Sequence, residues 1–215
     1  RKWRSLLFRR EDYQVRLLLV RHGETVWNSQ RKVQGGAVDT PLSETGHRQI
    51  ARMAEVLRDE PIDVIISSPL QRAVLTAQSI ARYHPLPIQT HPDLKEVNVG
   101  EFDGLCTLDI PVSFTEMLLD WWKGGRERLP GGESFQELQD RTWAVVGPYV
   151  ENGAHENVLV VSHYFTTLSI ILRAMDFPLT MLTRFRMDPG CISALEFGKF
   201  GARLARFNDT SYQVV

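Results

Sequence analysis

The 215-residue sequence has only two cysteines, Cys106 and Cys191. Two thiols cannot build a disulfide framework, and their spacing fits no metal motif. Reduced thiols in a reducing, cytoplasmic compartment are the expectation. Long hydrophobic runs are also missing. The longest, residues 165–175, contains Arg173 and falls well short of the ~20 residues of a membrane span, so no stable membrane insertion is expected. Charge of one sign is lacking too, since 25 Lys and Arg face 26 Asp and Glu. A net charge of −1 draws the chain to neither nucleic acid nor a membrane, so any anion must be held by local donors. Internal repeats and low-complexity tracts are absent.

What is present suits a globular core. The length allows one large domain or one domain with an inserted cap. The composition, 43% hydrophobic and 24% charged, is ordinary for a folded domain. The first ten residues, RKWRSLLFRR, interleave five basic side chains with Trp3, Leu6, Leu7 and Phe8. They read either as a basic amphipathic helix or, the preferred reading, as an extension resting loosely on the domain. The expected division is a basic N-terminal extension over 1–15 and one domain over 16–215. Within that domain, residues 104–130 are the least regular and read as an insertion covering the site.

Six segments read as strands. Residues 16–21, 63–67, 87–90 and 158–162 are short, mostly continuous apolar runs, as in strands buried on both faces. Residues 192–197 and 203–208 alternate more and are separated by Gly198 and Gly201, which suggests a terminal hairpin near a sheet edge. Helical periods lie between them. Ser43 is a candidate N-cap before Ile50, Met53, Ala54 and Leu57. Pro69 begins a second helical stretch carrying Ala73, Ala77 and Ile80. Phe135, Leu138, Val145, Val146 and Tyr149 mark a third. This alternation predicts an α/β fold, a three-layer α/β/α sandwich with a mostly parallel central sheet.

In such folds ligands sit beyond the carboxyl ends of the strands, and four chemically capable segments fall there. The first is Arg21-His22-Gly23-Glu24-Thr25, with Asn28 following. A phosphate monoester carries nearly two negative charges, which guanidinium groups can grip, and a neutral imidazole can attack phosphorus. A core histidine is the bland reading of His22, but the adjoining arginine needs a partner if buried. The second segment is Ser67-Ser68-Pro69-Leu70-Gln71-Arg72, where a strand gives way to a helix N-terminus that favours anions. A solvated arginine is equally consistent with that segment alone. The third is Ser162-His163, ending a very apolar strand. The fourth runs from Leu94 to Gly104 and offers Glu96, Glu101 and Asp103 as acids. A carboxylic acid that protonates a leaving alkoxide near pH 7 needs a raised pKa.

These residues resemble the histidine phosphatase superfamily, in its phosphoglycerate mutase-like branch. RHGETVWN, QGG at 34–36, PLSETGHRQI, SSPLQRAVLTA, LKEVNVGEFDGL, PGGES at 130–134 and VVSH at 160–163 occur in family order, over roughly residues 16 to 208. The resemblance implies His22 as phosphorylated nucleophile, with Arg21, Arg72, His163 and Asn28 around the phosphate. It implies Glu96 as proton donor and Gln34 and Gly35 on the substrate side, with no metal and no cofactor. Two departures stand out. Tyr164 follows the second histidine where the family usually has glycine, and becomes a candidate substrate contact. Asn208-Asp209-Thr210 stands where related phosphatases often have a histidine.

The implied activity is hydrolysis of a small phosphorylated metabolite, and a homodimer is left open. A mutase, which must shield its intermediate from water, is the rival within the family. The shortness of 104–130 and the PGGES entry favour the phosphatase. An inactive phospho-ligand-binding module is the rival from another class, with Tyr164 its best support.

Overall fold

The computed structural model describes residues 13–108, 112–124 and 127–213. The basic extension therefore lies, up to residue 12, outside the described residues. Among those described, six strands form one sheet in the order β3-β2-β4-β1-β5-β6. They are β1 (Tyr13–Arg21), β2 (Val64–Ser67), β3 (Ile88–Thr90), β4 (Asn157–Ser162), β5 (Ile192–Gly198) and β6 (Gly201–Asp209). The first four run parallel, β5 turns back against β1, and β6 forms the edge beyond it. Strand β1 starts three residues earlier than its apolar run suggests, because β5 supplies a partner as far as Tyr13.

The continuous apolar runs follow from burial on both faces. Leu17 and Leu19 face one side of the sheet with Val64, Ile66, Val158 and Val160. Leu18 and Val20 face the other with Ile65, Leu159 and Val161. Each such side chain contributes about 1.5–3 kcal/mol relative to exposure, so a polar replacement at any of these positions would be costly. On the second face pack α2 (Glu44–Val56), through Met53, Ala54 and Leu57, and α3 (Gln71–Ala81), through Ala73, Ala77 and Ile80. On the first face pack α5 (Phe135–Glu151), through Phe135, Leu138 and Val146, and α6 (Tyr164–Ala174), through Leu168 and Ile171.

Capping sets several starts. The Ser43 hydroxyl accepts from Gly46 N to open α2. Ser134 and Glu137 form a reciprocal capping box at α5. A short helix, α1 (Val26–Ser29), is capped by Thr25, with Asn28 completing a second box. One expectation changes, and one helix goes beyond the sequence reading. Residues 104–130, read as irregular, contain a thirteen-residue helix, α4 (Val112–Gly124). The apolar stretch after His163 is α6, buried so fully that no polar stripe marks its period.

Candidate active site

Strand register assembles the centre. Arg21 of β1 lies opposite Ser162 of β4, and Ser67 of β2 opposite Val161 of β4. The residues that follow, His22, Ser68 and His163, therefore leave the same end of the sheet side by side. Backbone bonds extend the ladder there, from His22 N to Ser162 O at 3.0 Å and from Ser68 N to Val161 O at 3.0 Å. The two imidazoles meet edge to face with centroids 5.1 Å apart.

His22 is buried, and its Nδ1 bonds the carbonyl of Gly23 at 2.7 Å. A carbonyl only accepts, so Nδ1 carries the hydrogen and Nε2 keeps the lone pair. Burial, then the charges of Arg72 and Arg21, hold the ring pKa well below the usual 6.5. The imidazole is neutral at pH 7, as a nucleophile requires. Burial and Arg72 lower His163 likewise, and its Nε2 shares a 2.8 Å hydrogen bond with Ser68 Oγ. Gly23 serves close packing, since a Cβ there would lie 2.8 Å from the Gly46 carbonyl oxygen in the first turn of α2.

Arg72 is fully buried. Its terminal nitrogens donate to Val38 O at 2.9 Å and Gly35 O at 3.1 Å. Burial brings its pKa to about 10, which still leaves it charged at neutral pH. Arg21 donates to Met187 O and lies 5.2 Å from the centre of the Tyr164 ring. The Tyr164 hydroxyl donates to Phe185 O at 3.0 Å, which fixes the ring. Among the described residues six buried side-chain nitrogen or oxygen atoms lack a partner. Three of them are Arg21 Nε, Arg72 Nε and His163 Nδ1. Such groups cost about 1–3 kcal/mol each when unpaired, and their clustering matches what a polyoxygen anion would satisfy.

The helix N-termini are used differently from the expectation. The first amide of α3, Gln71 N, donates to Asp39 Oδ2 at 2.7 Å, and Asp39 also lies 3.7 Å from Arg72. At α6, Phe165 N and Thr166 N each donate to Glu96 at 3.2 Å. Carboxylates of the chain itself occupy both dipole ends, so the side chains of Arg21, Arg72 and the histidines are the donors left for an external anion.

Six of the nine expected residues line one cavity of about 620 Å³: Arg21, His22, Asn28, Gln34, Glu96 and Tyr164. Arg72 and His163 are not among the lining residues but adjoin His22, His163 by ring contact and Arg72 through its charge. Gly35 is also off the wall. Its carbonyl holds Arg72 and its N–H donates to Asp103 Oδ1 at 2.6 Å, so it supports the arginine. Burial raises the Asp103 pKa. Asn28 Oδ1 accepts from Thr25 N, which leaves its amide nitrogen for the cavity. Gln34 bonds Thr25 and Thr40. Among the described residues no group of three His, Cys, Asp or Glu converges as a metal ion would need.

Two contributors escaped the sequence reading. Asp39 carries no motif of its own. Arg141, on α5, donates to the carbonyls of Lys95 and Glu96 and pairs with Glu133 at 2.6 Å. It thereby ties the Glu96 segment to the PGGES turn. The placing of PGGES before a helix with a central arginine was its only available signal.

Comparison with known proteins agrees with this geometry. The family model for the histidine phosphatase superfamily (branch 1) matches residues 17–210. The chain is 30% identical over 201 residues to an Escherichia coli protein named adenosylcobalamin/alpha-ribazole phosphatase, covering 93% of this chain and 98% of that one. It is 34% identical over 189 residues to a Yersinia pestis protein named "Probable phosphoglycerate mutase GpmB", covering 85% of each. The structure of Bacillus stearothermophilus YhfR superposes with a TM-score of 0.84 at 27% identity, covering 93% of this chain and all of that one. The chain belongs to branch 1 of the histidine phosphatase superfamily.

Proposed function

We propose that this chain is a phosphoric monoester hydrolase that works without a metal, through a phosphohistidine on His22. The observation that carries the reading is the meeting of a neutral, tautomer-fixed imidazole with three unpartnered buried nitrogens of Arg21, Arg72 and His163. In the first step His22 Nε2 attacks phosphorus. The bond from phosphorus to the alcohol oxygen breaks, and Glu96 gives that oxygen its proton. In the second step water attacks phosphorus and passes a proton to Glu96. The phosphorus–nitrogen bond then breaks, and Nε2 regains its lone pair. Arg21 and Arg72 offset charge on the equatorial oxygens throughout. The similarity to a protein named a phosphatase supports hydrolysis.

A mutase outcome is the second reading, favoured by the similarity to the Yersinia pestis protein. It differs in returning the phosphoryl group to a second hydroxyl instead of water. Phosphate release and phosphoglycerate isomerisation, measured on the same sample, separate the two. The nucleophile is tested by brief incubation with a phosphate ester followed by acid and alkali treatment. The expected result is acid-labile, alkali-stable phosphate on His22. His22→Ala should fold normally by circular dichroism and lose both the label and turnover. Wild-type turnover in that variant would refute the assignment.

A further inference from the structure

The cavity that opens from His22 carries information about the alcohol half of the ester. At about 620 Å³ it has room for about twenty waters of liquid volume. A phosphorylated three-carbon acid would leave most of that space to water. The walls are chiefly apolar. Val33, Val99, Phe185 and, from α4, Leu118, Trp121 and Trp122 are among the lining side chains. Leu119 and Trp122 line the cavity and remain 41% and 42% exposed, so the entrance is apolar as well.

Charge is scarce beyond the phosphate end. Among the described lining residues, the acidic and basic side chains besides His22 are Arg21, Lys32 and Glu96. Arg21 is committed to Met187 O and the Tyr164 face. Lys32 lies 5.8 Å from the centre of the Trp27 ring. Gln34, the polar group nearest in sequence to these, already has partners for both halves of its amide. Away from Arg21, a substrate carboxylate would find Lys32 as the one lining cation and a polyol would find Asn28 and three threonines, while leucine, valine, phenylalanine and tryptophan replace none of the lost water. Tyr164 sharpens the division. Its ring lies 5.2 Å from Arg21 and its hydroxyl is tied to Phe185 O, so an aromatic face is fixed against the cationic end.

We propose that the substrates are phosphate monoesters of bulky, uncharged, apolar alcohols, whose hydrocarbon body fills the chamber against α4. This inference rests on the hydrolase reading above and narrows it to a substrate class. A glycerate or a phosphorylated amino acid is then a poor substrate at the same His22.

The test uses n-alkyl phosphates from methyl to octyl, whose leaving alcohols have nearly equal basicity, so that differences report on burial. The expected kcat/KM rises about four-fold for each added methylene until the chamber is filled. 3-Phosphoglycerate, phosphoserine and glycerol phosphate should fall about 10- to 100-fold below the alkyl ester of matching length. Trp122→Ser, at a position 42% exposed and checked for folding by circular dichroism, should flatten the chain-length slope. A flat series, or phosphoglycerate turned over as well as octyl phosphate, would overturn the proposal while leaving the hydrolase reading intact, provided His22 is still labelled. Failure of every ester together with an unlabelled His22 would overturn both.

Discussion

Glu96 receives four hydrogen bonds, from Val97 N, Phe165 N, Thr166 N and the Thr166 hydroxyl. The carboxyl is thereby held in one place in the cavity that His22 also lines. Glu96→Gln keeps the shape and can still accept, but has no proton to give. It should slow hydrolysis of alkyl phosphates by roughly 10²–10⁴-fold, while activated aryl phosphates, which leave unaided, change far less. An equal loss on both ester types, in steady-state assays, would remove Glu96 from that role. At this scale the sequence was informative where chemistry and chain position coincide. Arg21, His22, Arg72 and His163 each sit at a strand end or in the first turn after it, and the strand rule alone brings them together. It was silent on Asp39 and Arg141, because all their partners but Glu133 lie 32 to 48 residues away and no local pattern encodes such a pairing. Gly35, expected on the substrate side, holds Arg72 through its carbonyl and Asp103 through its N–H, contacts that no local pattern announces.

Elements meet closely around the loop that carries His22. Gly23 and Gly46 face one another where β1's exit crosses the start of α2. A Cβ on Gly46 would overlap the backbone oxygen of Glu24, and that oxygen already accepts from Ser43 N at 2.9 Å. Gly46→Ala should therefore cost about 1–3 kcal/mol by overpacking. For a chain of this size that is a fall of roughly 2–4 °C in Tm per kcal/mol. Unchanged urea and thermal midpoints would show that α2 can shift without penalty. Helix visibility in the sequence followed burial. α2 and α5 each show an apolar face and a polar face and could be read from period. α6 has Leu168, Ser169, Ile170, Ile171 and Leu172 all buried in succession, so period carries no signal there. α4 was hidden by its surroundings: Gly104, Pro111, Gly124, Gly125 and Pro130 crowd its flanks and mimic a loop.

The molecule as a whole keeps two histidines neutral by burying them beside two arginines, and this has an acid cost. Both rings have folded pKa values well below 6.5, so below about pH 6.5 the unfolded chain takes up protons that the folded chain refuses. Stability should fall as pH drops through that window, by about 1.4 kcal/mol per pH unit for each ring. Urea unfolding from pH 7 to 5 measures it, and the slope should shrink in His163→Asn. Phosphate at a hundred times its Kd should add about 2.7 kcal/mol at neutral pH, through binding to the folded state alone. A pH-independent midpoint would contradict the neutral pair. The sheet order has a separate consequence for biosynthesis. β1 and β2 touch only through β4, which is the last of the parallel strands to leave the ribosome. Two sticky hydrophobic strands must wait, unpaired with each other, for about ninety residues of translation beyond β2, and no nascent fragment lacking β4 can hold the two imidazoles together.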